Sequence, residues 1–221
     1  MFGIKLDLDM TGLKTGGVHS LSEHYYSTDP SSKSNPATWT YRLRNHPLQF
    51  TSDIGVFSKG GVDFGSGVLI ENFEEPQAEG DFLDLGCGYG PIGLSLAKSF
   101  PHRHVFMSDI NKRALGLAVQ NAEQNGISNV TVLESDLYAA FDQQKFAAIL
   151  TNPPIRAGKK VVHTILEKSY DCIKRGGALW VVIQKKQGAP SAKKKLEEIF
   201  SEVSVMKKDK GYYLLRAVKF D

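Results

Sequence analysis

The feature that most limits how this chain can fold is an alternation that begins at Gly80: apolar run, turn, amphipathic segment, repeated. Phe82-Leu83-Asp84-Leu85 reads as a buried strand, and Pro91 to Phe100 as a helix carrying Ile92, Leu94, Leu96 and Ala97. The same pattern predicts strands over 104–108, 130–133, 146–150 and 178–183, with helices over 112–125, 161–173 and 191–200. Two late strands, 203–206 and 212–220, are joined closely enough to pair antiparallel. The run 178–183 is almost continuously apolar, as expected of a strand covered on both faces. Alternation of this kind predicts an α/β fold, a doubly wound and mostly parallel sheet of seven strands. Ligands of such a sheet sit beyond the carboxyl ends of its strands.

The residues before Gly80 follow no such pattern. Residues 1–21 hold glycines, threonines and balanced charges without a period, and are expected to be a leader arm without fixed structure. Residues 22–61 read as an arm and hairpin: a polar loop from Ser27 to Pro36, then β-like runs Thr38 to Leu43 and Leu48 to Thr51 around an Asn45-His46-Pro47 turn. Val62 to Phe73 is helix-spaced, with Ser66 as its expected N-cap. At 221 residues and 41% hydrophobic content, one sizeable core is affordable, so 62–221 is expected to form one domain. No run of about 18 uncharged apolar residues occurs, so no membrane partner is expected. Cys87 and Cys172 are too isolated for a disulfide framework or a zinc cluster, and the six histidines lack paired ligand spacing. A cytoplasmic protein without a metal is the expectation. The net charge of +3 permits a nucleic-acid partner without requiring one.

Chemistry concentrates first at Asp84-Leu85-Gly86-Cys87-Gly88-Tyr89-Gly90, between a strand and a helix. Glycines there supply positive φ and let backbone approach a ligand. Gly88, Gly90 and Gly93 also satisfy the G-x-G-x-x-G of dinucleotide sites, which alone is a weak signal. Asp84 turns the reading away from a diphosphate, since a carboxylate repels phosphate and accepts from an ammonium. Asp109 ends the next strand, where an acid accepts both ribose hydroxyls. Asp136, after Ser135, follows the third, where it accepts from an adenine amino group with Ile110 and Leu137 flanking the ring. Each acid alone fits a solvated strand end; three after three successive strands do not. These segments resemble the cofactor motifs of class I S-adenosylmethionine-dependent methyltransferases. The resemblance implies a Rossmann-like methyltransferase sheet with a small N-terminal β-hairpin cap, S-adenosylmethionine as cofactor, and a site made of Asp84, Gly86, Cys87, Gly88, Gly90, Asp109, Ile110, Ser135, Asp136, Leu137 and Asn152.

Thr151-Asn152-Pro153-Pro154 follows the fourth strand. Two prolines stiffen this turn and remove N–H groups, leaving the Asn152 side-chain oxygen and the Pro153 carbonyl as two acceptors on a rigid frame. An –NH₂ group has two hydrogens to match them. Asn152, Pro153 and Pro154 are therefore the expected catalytic residues. The tetrad resembles the [Asn/Asp]-Pro-Pro-aromatic signature of amino-group methyltransferases, although Ile155 stands where an aromatic often stacks on the target. The longer run Asn152 to Lys159, with Val62 to Ser66 and Gln184 to Ala189, resembles the small-domain methyltransferases related to ribosomal RNA small subunit guanine-N2 methyltransferase C. Glu23-His24-Tyr25-Tyr26 resembles the opening of single-domain members.

That resemblance implies ribosomal RNA or the small ribosomal subunit as partner, with Ile155, Arg156, Lys159 and Ser66 toward substrate. Lys160, Lys185, Lys186, Arg42 and Arg44 are expected to add a basic rim for phosphates, while Lys193, Lys194 and Lys195 read as a solvated helix face. Tyr25, Tyr26 and Trp39 have either stacking or packing open to them. Methylation of a protein glutamine amide, of adenine or of a small amine stands as an alternative, as do a non-catalytic RNA-binding assembly role and a nicotinamide oxidoreductase. Monomer and weak dimer both remain open.

Overall fold

Two left-handed residues turn the first ribbon of the molecule. In this computed structural model, which describes residues 33–58 and 60–220, β1 (Ala37–Leu43) and β2 (His46–Ser52) pair antiparallel around Arg44 and Asn45 at φ 46° and 65°. The expected readings of 1–21, of Glu23 to Tyr26 and of Ser27 to Ser32 lie outside the described residues. The turn sits earlier than the sequence suggests, because two residues at positive φ match the twist of the flanking strands. Pro47 enters β2 opposite Arg42. Trp39 packs edge-on against Tyr89, with ring centroids 5.8 Å apart, so of its two open roles it takes packing.

Next comes α1 (Phe64–Asn72), whose N-cap is Asp63 and not Ser66. The Asp63 carboxylate accepts from the Ser66 N–H at 3.1 Å, and its carbonyl accepts from the Gly67 N–H at 2.9 Å. An acid three residues earlier meets the unsatisfied first-turn donors that Ser66, already inside the helix, cannot reach. Arg44 donates to the Ile70 and Phe73 carbonyls at the far end of α1, both at 2.8 Å. This pins the hairpin to the helix and takes Arg44 out of the expected basic rim.

The alternation then unfolds as anticipated: β3 (Phe82–Leu85), α2 (Pro91–Ser99), β4 (Val105–Asp109), α3 (Lys112–Gln124), β5 (Val130–Glu134), β6 (Phe146–Thr151), α4 (Lys159–Cys172), β7 (Ile173–Gln184), α5 (Ala189–Glu197), β8 (Glu202–Asp209) and β9 (Tyr212–Val218). They form a seven-stranded sheet in the order β5-β4-β3-β6-β7-β9-β8. β5 through β7 run parallel, and β9 is antiparallel to both β7 and β8. β7 starts five residues before the expected strand because Gly177 fits against β6. A Cβ there would lie 2.6 Å from the Ala147 carbonyl oxygen. α5 begins at Ala189, directly after Gly188 at φ 110°, with Pro190 in a first turn that needs no N–H from it.

The sheet has a packed layer on each face. Hairpin residues Leu43, Leu48 and Phe50 join α1, α2 and α3 on one side, while α4 and α5 cover the other. All six residues of β6 are buried. Side chains such as Ile149 and Leu150 each contribute ~1.5–3 kcal/mol by leaving water. The order in which strands are added to the sheet reverses between the parallel neighbours β3 and β6, and this switch point opens a crevice at the carboxyl ends of the strands.

Candidate active site

A cavity of about 640 Å³ fills that crevice, a volume suited to a small-molecule ligand. Its first wall is laced together by backbone. The Gly86 and Cys87 N–H groups donate to the Ser108 carbonyl at 2.8 and 2.9 Å, and the Ser135 N–H donates to the Asp109 carbonyl at 3.1 Å. The Asp109 carboxylate accepts backbone bonds from Gly88 N–H on Oδ2 and from Asn111 N–H on Oδ1, both at 2.9 Å, and also from Ile110 N–H. Burial pushes the Asp109 carboxyl up from its ordinary range, against the backbone bonds that pull it down.

Gly86 and Gly88 lie at φ 76° and 57°, and at both a Cβ would project into open space. These two positions form a cradle that any side chain would fill. Gly90 is different. It caps α2 at φ 95°, and a Cβ on it would fall 2.6 Å from the Met107 methyl, so packing fixes it and it does not line the cavity.

Asp84 also departs from its expected place. It is fully buried and absent from the cavity wall; its Oδ2 accepts from the Gly93 N–H at 2.8 Å inside α2. Burial raises its carboxyl to about 7, eased by the Gly93 bond and raised further by the charge of Asp109. Asp84 thus supports the loop from beneath through Oδ2, while its Oδ1 is buried and has no hydrogen-bond partner among the described residues. Ser135 likewise spends its hydroxyl internally, donating to the Leu137 carbonyl at 2.8 Å and accepting from the Ala140 N–H at 3.2 Å.

The opposite wall is made of side chains. Thr151 at the end of β6 donates to the Leu85 carbonyl at 2.9 Å, which sets the Asn152-Pro153-Pro154 turn against β3. Asn152 then donates its amide hydrogens to Asp63 Oδ2 at 2.9 Å and Ser66 Oγ at 3.0 Å. Neither the Asn152 side-chain oxygen nor the Pro153 carbonyl accepts a hydrogen bond among the described residues. After Pro154 a short 3₁₀ turn, Ile155–Ala157, leads into α4 and closes on Gly158 at φ 98°.

Val56, Phe57 and Ser58 contribute to the cavity lining. Among the bonds that hold the residues around them, Arg113 donates to the Ile54 carbonyl, Asn111 to the Gly55 carbonyl and Tyr89 to the Gly61 carbonyl, at 2.7, 2.9 and 3.0 Å. Of the expected site residues, the structure gathers Gly86, Cys87, Gly88, Asp109, Ile110, Ser135, Asp136, Leu137, Asn152, Pro153, Pro154, Ile155, Arg156 and Ser66 around one cavity. Asp84, Gly90 and Lys159 stay outside it, Lys159 being exposed at the start of α4. Asp63, Phe57, Gln184 and Tyr212 line it without having been named as site residues, although Asp63 and Gln184 fall within the segments 62–66 and 184–189 that carry the family resemblance. Asp63 had a further readable signal, an acid placed to cap a helix.

The cradle at Gly86 and Gly88, the Asp109 carboxylate in the cavity wall and the exposed Asp136 beside Leu137 fit S-adenosylmethionine. Comparison with known proteins agrees. A family model described as Methyltransferase small domain matches residues 47–216. The "Uncharacterized protein YbxB" of Bacillus subtilis (strain 168) is 64% identical over 90% of this chain and 100% of its own length. Ribosomal RNA small subunit methyltransferase C of Vibrio vulnificus (strain CMCP6) is 31% identical, over 84% of this chain and 55% of its own length. The solved structure of the T. thermophilus 16S rRNA N2 G1207 methyltransferase (RsmC) in complex with AdoMet and guanosine aligns with a TM-score of 0.75 at 27% identity. That alignment covers 86% of this chain and 52% of that one. The chain thus spans about half the length of these two methyltransferases.

Proposed function

This chain belongs to the methyltransferase small domain family, and from that premise we propose that it methylates the exocyclic N2 amino group of a guanine in ribosomal RNA. It is an S-adenosylmethionine-dependent methyltransferase. When bound, the cofactor supplies an electrophilic methyl group on a positively charged sulfur. In our reading Gly86, Cys87 and Gly88 hold its methionine portion, Asp109 its ribose and Asp136 its adenine, with Ile110 and Leu137 against the ring.

The observation that carries the reading is the pair of open acceptors at Asn152 and Pro153, on a proline-stiffened turn in the wall of the same cavity. Two acceptors on a frame that does not yield take both hydrogens of an –NH₂ group. Holding both hydrogens stops the nitrogen from rotating and aims its lone pair along one line. Preorganised positioning of this kind supplies much of a displacement's acceleration without a strong base. As it gains positive charge, the nitrogen would release one of the two held protons to solvent by way of the oxygen that accepts it. Ile155, in place of an aromatic, gives the base an apolar face.

Ribosomal RNA as the substrate draws its support from the names of the Vibrio and T. thermophilus proteins, both ribosomal RNA methyltransferases. The exposed Arg156, Lys159, Lys160, Lys185 and Lys186 near the mouth supply phosphate contacts in this reading. Transfer of a tritiated methyl group to unmodified ribosomal RNA and to small subunits is the test. Label recovered in N2-methylguanine supports the proposal. Label recovered only in protein overturns it in favour of an amide substrate.

A further inference from the structure

Asn152 serves as an acceptor only while its amide is held the right way round. The two ends of a side-chain amide are nearly equal in size, and its last torsion is broad and two-fold. Turned over, Asn152 would present hydrogens to a substrate –NH₂, donor against donor. We propose that Asp63 and Ser66 are positioning residues whose task is to fix that orientation. The inference rests on the reading of Asn152 as the nitrogen-holding acceptor.

The geometry is one-sided. The two contacts use both hydrogens of the Asn152 –NH₂, one on Asp63 Oδ2 at 2.9 Å and one on Ser66 Oγ at 3.0 Å. A carboxylate has no hydrogen to give, so the nitrogen end must face α1 and the oxygen end is left for the cavity. Asp63 is itself immobilised, because the same Oδ2 accepts from the Ser66 N–H at 3.1 Å as the cap of α1. Gly65 allows this crowding: a Cβ there would lie 2.7 Å from the Tyr212 ring and 3.0 Å from Asp63 Oδ2. All three polar residues line the cavity, yet 89 and 86 positions separate Asn152 from its two acceptors in the chain. A helix start therefore sets the polarity of the catalytic turn.

Capping and positioning are separated by choice of side chain. Serine and asparagine cap helices about as well as aspartate. Only asparagine, however, places an oxygen where Oδ2 stands; the serine hydroxyl ends one bond short. The expected result is that Asp63→Asn keeps turnover within ~3-fold of wild type, while Asp63→Ser lowers kcat ~10–100-fold. Melting temperature and S-adenosylmethionine affinity, read by calorimetry, stay near wild type in both. Ser66→Ala, which leaves the cap intact, lowers kcat by a smaller factor, ~3–10-fold. In an Asn152→Ala background, Asp63→Ser costs nothing further, since it acts only through the amide. Equal activity for the serine and asparagine variants, or added loss on top of Asn152→Ala, overturns the assignment. Full turnover by Asn152→Ala itself would instead sink the underlying reading of the turn. Loss in Asn152→Ala with none in Asp63→Ser or Ser66→Ala sinks the positioning role alone.

Discussion

The two walls of the cavity are made of different material. One is backbone: glycines, strand ends and an aspartate anchored by main-chain N–H groups, all within residues 84–137. The other is a side-chain network in which Asn152 meets Asp63 and Ser66 across the sheet. A backbone wall recognises a ligand that is always the same and resists change at single positions. A side-chain wall sets the chemistry and is open to substitution one atom at a time. Binding should therefore fail with the first wall and turnover with the second.

The largest effect expected from that division is at Asn152. Asn152→Ala should lower kcat ~10²–10³-fold, in the range of losing one preorganised polar group, while calorimetric affinity for S-adenosylmethionine moves less than ~2-fold. Equal loss of both would erase the distinction. Asp109→Ala is the reciprocal case. It removes the loop anchors together with the ribose acceptor, so the dissociation constant should rise ~10–100-fold, with kcat at saturating cofactor closer to wild type.

A pair of glycines sharpens the boundary of the first wall. Gly88→Ala puts a methyl into the cavity and costs ~1–2 kcal/mol for a left-handed residue, so cofactor affinity and melting temperature should both fall. Gly93→Ala meets Met107 Cγ at 2.6 Å beneath the helix, and should lower the melting temperature with less change in affinity at 25 °C.

A separate expectation, read in stability and not in turnover, is a pH signature from Asp84. Its folded carboxyl, near 7, holds a proton more tightly than in the unfolded chain, so wild-type stability is full at low pH and drains as pH rises from ~4 to ~7. Asp84→Asn does not titrate. Its chemical-denaturation stability relative to wild type should climb through that window and level off above about 7. A flat difference across the window would place the charge of Asp84 in contact with a compensating group.

Legibility in the sequence divides along the same line. The sheet and the glycine loop could be read because each strand, turn and helix is contiguous and its periodicity local. Asp109 and Asp136 followed from their places at strand ends. Asp84 and Gly90 shared the motif but not the cavity, since sequence spacing does not reveal which side of a backbone faces a packed helix. The partnership of Asp63 with Asn152 left no local trace, being a contact that exists only after α1 has packed on the sheet that carries β6. Phe57 and Tyr212 were hidden for the same reason: an exposed loop and a late strand carry no sign of the crevice they reach. Arg44 looked like a phosphate ligand until the end of α1 claimed its guanidinium.

The position of β9 has a consequence for how the molecule is made. It follows both β7 and β8 in the chain but lies between them in the sheet. While the polypeptide is being translated, one side of β7, including Trp180 and Val182, has no strand to pair with until residues 212–218 leave the ribosome. An open apolar edge of this kind invites pairing with other nascent chains. The pocket also waits, because Tyr212 is part of its lining. Docking of β9, and not synthesis of the glycine motif, is the moment at which the pocket is first complete.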